Sequence, residues 1–168
     1  MAKQTSHSAA ADAAHALRDL INSNGDIPDA FWQNPFVLGF LFYYIHGVAG
    51  LTGVQADEYY DMPSAFIELC GEDLGIDVLE RSLTFSMDQD PGYLAGLKAG
   101  DKYLAVVFGS KQYDNDPAVI GARKLAAAKA KDLPAGFGVA PVDIENTYLL
   151  ETIFLSEVRG RLNMVTIN

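Results

Sequence analysis

Cys70 is the only cysteine in 168 residues, and it stands in the string ELCGED. A catalytic thiol needs a positive neighbourhood or a helix N-terminus to draw its pKa towards neutrality. Here Glu68, Glu72 and Asp73 adjoin it, and the apolar period of AFIELC puts it at a helix C-terminal end. Both settings disfavour the thiolate. Cys70 is therefore expected to serve as a small buried hydrophobe. With no second cysteine there is no intramolecular disulfide, which fits a reducing compartment.

Asp57 and Asp61 lie one helical turn apart and flank Tyr59 and Tyr60. Facing a cleft, such a carboxyl pair could shift in pKa and act as a general acid; on an open face it is the solvated first turn of a helix. His7, His15 and His46 have no carboxylate or second His at helical metal spacing, so neither a zinc site nor a di-metal site is expected. GLKAGDK lacks the spacing and the Gly-Lys-Ser/Thr of a phosphate loop, GFGVAP is not a dinucleotide fingerprint, and no G-x-S-x-G elbow exists. No cofactor is expected. The remaining candidates are Tyr43, Tyr44 and His46, which place polar tips in an otherwise apolar run. Such groups bond to backbone at a core edge, or they line a pocket or face a partner. Together with Tyr59 and Tyr60 they form the set of ligand-facing or partner-facing candidates.

The element that must carry three of these residues is the longest uncharged interval in the chain, Ala30 to Ala56, with FVLGFLFYYI at its heart. Its length approaches the roughly 20 residues of a membrane span. Gly39, Tyr43, Tyr44, His46, Gly47, Gly50, Thr52 and Gly53 dilute it, however, and no Lys/Arg cluster flanks it. It reads as a buried helix of a globular core, apolar on two faces. Phe36, Val37, Phe40, Leu41 and Tyr44 share one face, and Leu38, Phe42 and Ile45 cover much of another.

Helix signals recur along the rest of the chain. Ala9 to Ile21 is helical by propensity, Pro28 and Pro35 suit first turns, and Ser64 precedes a short helix with Phe66, Leu69 and Cys70 inward. Ile76, Leu79, Leu83 and Met87 hold a helical period, although LTFSM also alternates like a strand. Asp90-Pro91 and Asp116-Pro117 each read as a cap followed by a first-turn proline. Asp143 reads as a third cap, opening a helix with Ile144, Tyr148, Glu151, Leu155, Val158 and Leu162 in register. AGLKAGDKYLAVV resembles the AGL-x-x-GD stretch of PDZ domains over about a dozen residues, which would imply a strand. The glycine-rich carboxylate-binding loop of that family is absent, and Tyr93, Leu97, Gly100, Leu104 and Phe108 keep a helical period. A helix is expected there, with Gly92, Gly96 and Gly100 as a smooth ridge and a break at Gly100 as the alternative.

The net charge of −10 argues against a nucleic-acid partner, because phosphate neutralisation needs clustered Lys and Arg. The one basic cluster, Arg123, Lys124, Lys129 and Lys131, reads as a solvated helix face. MAKQTSHSAAADAAHALRDL has no apolar core of a secretory signal, so the cytoplasm is expected. The sequence thus predicts an all-α fold: a single domain over 1–168, with residues 1–8 a flexible tail. About seven helices should surround a central apolar one, with at most a minor β element. It predicts a non-enzymatic interaction or regulatory protein, partnered by another protein or by itself as a homodimer, with no nucleic acid, membrane, metal or cofactor. A helical receptor for a small apolar ligand, or an enzyme built on a carboxylate/His cleft, are the alternatives.

Overall fold

The computed structural model describes Ala14, Arg18 and residues 27–51, 62–132 and 141–162. Every regular element among them is helical, so the chain is all-α. Tyr59, Tyr60, Asp57, Asp61, the N-terminal tail and most of the helix expected over Ala9 to Ile21 lie outside the described residues. The chain's contacts gather into two compact units, Met1–Asp101 and Lys102–Asn168.

In the first unit a 3-10 turn, Asp29–Gln33, leads into α1, Pro35–Leu51. Asn34 caps α1: the backbone N–H groups of Phe36 and Val37 donate to its Oδ1 at 3.0 and 3.4 Å. Each such cap is worth ~1 kcal/mol. Pro35 takes the first position, where its missing N–H costs nothing. Phe36, Val37, Leu38, Phe40, Leu41 and Ile45 are all buried, while Tyr44 on one expected face and Phe42 on the other are half-buried. Helix α1 continues through Gly47 and Gly50, which do not end it. Neither α1 nor any other described helix is long and apolar enough to cross a membrane.

Helices α2, Met62–Cys70, and α3, Glu72–Met87, meet at Gly71, whose φ of 92° is open to glycine without strain. Helix α3 buries Gly75, Val78, Leu79 and Ser82. Of the four residues read from the sequence as one periodic stripe, only Leu79 is in this set; Ile76, Leu83 and Met87 face outward. LTFSM remains helical to Met87, because Thr84 and its neighbours keep the i to i−4 ladder up to Asp88, whose N–H bonds the Thr84 carbonyl at 2.9 Å.

Asp90 then caps α4, Pro91–Val107, accepting the Tyr93 N–H at 3.0 Å. Helix α4 runs unbroken through Gly100, so the PDZ-like stretch is helical throughout. Its glycine ridge lies against α1. A Cβ on Gly96 would stand 2.1 Å from the Phe36 carbonyl oxygen, and one on Gly39 would stand 2.2 Å from that of Tyr93. Backbone meets backbone here, with glycine on both helices.

The second unit holds the end of α4, then α5, Pro117–Asp132, and α6, Pro141–Leu150. A π turn, Glu151–Leu155, runs on without interruption into α7, Ser156–Leu162. Asp116 caps α5 as expected, accepting the Ala118 N–H at 2.9 Å. Burial alone would raise its pKa; the hydrogen bonds from Lys102 and the Ala118 N–H outweigh that and hold it below the usual carboxylate value. Asp143 is not a cap: α6 already begins at Pro141, which leaves Asp143 in the first turn. The π turn carries about one residue more per turn than an α-helix, yet Ile144, Leu155 and Val158 of the expected stripe are buried, and Tyr148, Glu151 and Leu162 are half-buried. The buried set after it is Ile153, Phe154, Leu155 and Val158. Arg159 spans the turn with a two-pronged ion pair to Glu151, and Thr152 Oγ1 donates to the Tyr148 carbonyl at 2.9 Å. Arg123 ties α5 to its surroundings by donating to Asp114 at 2.7 Å and to Glu145 on α6 at 3.0 Å.

Candidate functional site

The polar groups of α1 go to different neighbours. The Tyr43 hydroxyl donates to Asp101 Oδ1 on α4 at 2.7 Å. Tyr44 is half-buried, stacked on Phe40 with ring centres 6.5 Å apart, and burial raises its pKa. His46 is exposed and stacks on Phe42 at 6.1 Å. Tyr43 thus serves the contact between α1 and α4. No group of three or more metal-ligating side chains occurs among the described residues.

Cys70 is half-buried rather than sealed in: Ala65, Phe66 and Leu69 form the buried set of α2, and Cys70 closes the helix at its edge. Partial burial, more than its acidic sequence neighbours, pushes the thiol up to about 12. Its S–H donates to the Phe66 carbonyl at 3.0 Å. Both features disfavour the thiolate at neutral pH.

A buried polar pair unforeseen in the sequence joins α3 to α4. Ser82 Oγ donates to the Tyr93 hydroxyl at 3.1 Å, and both side chains are sealed from water. Burial raises the Tyr93 pKa against the lowering effect of hydrogen bonds with Ser82 and Ser86. The pair joins two helices and satisfies two buried hydroxyls.

Two surface features of the first unit remain. One is a groove of about 240 Å³ between the 3-10 turn and α3, walled by Trp32, Leu74 and Val78, with Asp29, Asp77 and Arg81 among its lining. It is smaller than the ~300–1,000 Å³ of ordinary small-molecule sites. Arg81 there donates to the Trp32 carbonyl at 3.1 Å and fastens the turn to the helix.

The other is the outward stripe of α3. Ile76, Leu83 and Met87 are 40%, 46% and 84% exposed, and at 3.6 residues per turn they fall within about 40° of one another. Glu72 borders the stripe on one side, and Glu80 and Asp73 border it on the other; all three are exposed. Scattered exposed apolar side chains are ordinary on any protein surface, but aligned ones call for an explanation. With Gly75, Val78, Leu79 and Ser82 inward, α3 turns Leu83 and Met87 towards water. Only the contacts of α3 reveal which of its two apolar stripes is inward.

No family model, no curated protein and no solved structure matches this chain.

Proposed function

We propose that this chain is a non-enzymatic interaction protein and that α3 is its partner-facing helix. The observation that carries the reading is the aligned exposure of Ile76, Leu83 and Met87 beside the buried face formed by Gly75, Val78, Leu79 and Ser82. The stripe spans about 16 Å of helix, which suits one packed helix of a partner. That is a contact at the small, transient end of protein interfaces rather than an obligate one. The chemistry of the described residues agrees with a binding role. Burial raises the pKa of the one thiol, and Tyr43 bonds to Asp101 while Tyr44 stacks on Phe40 and His46 on Phe42.

The test is site-specific crosslinking. A photoreactive residue placed at Leu83 should give one discrete adduct in cells expressing the full chain. Met87→Glu in the same molecule should suppress it, and the same probe at Lys129, on an exposed face of α5, should give none. Equal labelling from both positions would refute the assignment of α3.

A further inference from the structure

The stripe on α3 has acidic rims and no basic one. Glu72, Asp73 and Glu80 flank it, all exposed. The only basic residue of the helix, Arg81, lies about 140° round the axis from the stripe and donates to the Trp32 carbonyl. Two copies of this face set together would oppose carboxylate rims on chains that each carry −10. Like charges brought face to face across an interface exclude that pairing. An apolar strip between two acidic edges is complementary to the opposite arrangement.

We propose that the occupant of this face is an amphipathic helix of a partner protein, apolar along one side, with Lys or Arg on both edges of that side. This rests on the reading of α3 as partner-facing and adds the chemistry of what it faces. The apolar strip supplies adhesion and sets the register. The carboxylate rims select a basic helix over an acidic one and speed encounter, an effect that salt screens.

The experiment uses the full chain and two labelled 18-residue helical peptides followed by fluorescence anisotropy. Both carry Leu at i, i+3, i+4 and i+7 positions; one has Lys and Arg beside the leucines, the other Glu. The basic peptide should bind at least tenfold tighter than the acidic one, and weaken several-fold between low and moderate salt. Leu83→Ser with Met87→Ser should reduce that binding at least tenfold without loss of helical circular dichroism. Glu72→Gln with Glu80→Gln should weaken it several-fold and flatten the salt dependence. Asp132→Asn with Asp143→Asn, on the second unit, should leave it unchanged. Equal binding to wild type and to the Leu83/Met87 variant would reveal general charge attraction and overturn the proposal. So would equal binding of both peptides. A dimer in sedimentation that Leu83→Ser with Met87→Ser dissociates would overturn the occupant while upholding the face. Absence of peptide binding together with absence of an adduct at position 83 would overturn both.

Discussion

Adding one methyl group to this protein should have opposite effects at two glycines, both inside helices. At Gly96 a new Cβ would stand 2.1 Å from the Phe36 carbonyl oxygen and 2.9 Å from the Phe40 nitrogen. Ordinary contact begins near 3.4 Å, so α1 and α4 would have to part locally by about an ångström. The obstacle is backbone on a neighbouring helix, which no rotamer change can move aside. Overpacking of this kind costs ~1–3 kcal/mol and more where nothing yields. Against it stands the gain of ~1 kcal/mol in helix propensity on replacing Gly by Ala. Gly96→Ala should therefore destabilise by about 2 kcal/mol net. At Gly121, in α5, a Cβ meets nothing within 4 Å. Only the propensity gain remains, and Gly121→Ala should stabilise by about 0.5–1 kcal/mol. Urea unfolding reads both. With slopes of ~1–3 kcal/mol per molar, the midpoint should fall by roughly 1 M for Gly96→Ala and rise by a few tenths for Gly121→Ala. If the two variants shift in the same direction, the close approach of α1 and α4 is not what the glycine ridge serves.

Three further outcomes follow from groups described above. Tyr93→Phe should cost about 1 kcal/mol in thermal or chemical unfolding, and adding Ser82→Ala should cost less than the sum of the two single changes, since both break one buried hydrogen bond. Cys70, with its thiol pushed up to about 12 from 9.0, should hold about a thousandfold less thiolate at pH 8 than an unperturbed cysteine. Iodoacetamide should therefore label it that much more slowly in folded than in unfolded protein, and rapid labelling of folded protein would contradict the burial. Asp116 has a folded pKa below its ordinary 3.8. Its stabilising contribution is therefore complete above that value and is lost as pH falls through the lowered folded one. Asp116→Asn, which keeps a good capping residue but cannot ionise, should lower stability at pH 7 and change it least in acid, so that the acid limb of the stability profile flattens.

What the sequence disclosed and what it hid divide along physical lines. Caps and prolines act locally, so Asp90-Pro91 and Asp116-Pro117 were legible as helix starts. The glycine ridge at Gly92, Gly96 and Gly100 was legible too, because a four-residue spacing makes one smooth ridge on a helix. The π turn was not, since a one-residue register slip leaves no mark in composition. Nor was the inward face of α3: Ile76-Leu83-Met87 and Val78-Leu79-Ser82 are both helical stripes, and a neighbour, not periodicity, chooses between them. Among the candidate residues, the position of Cys70 at a helix C-terminal end was legible from the pattern of AFIELC. The partner of Tyr43 lay on a helix whose packing angle no local pattern fixes.

The π turn also records a length change. Five residues, Glu151–Leu155, occupy a span that an α-helix would fill with one fewer, which is the geometry left when a helix accepts a single inserted residue and absorbs it locally. Deleting Thr152 would restore an unbroken α ladder and leave the helix after it facing as it does now, because five residues of π turn wind through about the angle of four α residues. Val158 would stay buried, and the grip of Arg159 on Glu151 would be remade across one residue fewer. The contacts of α7 are thus those of a regular helix, and shortening the chain by one residue at this turn, a change that would derange an ordinary helix, is one that this helix can accept.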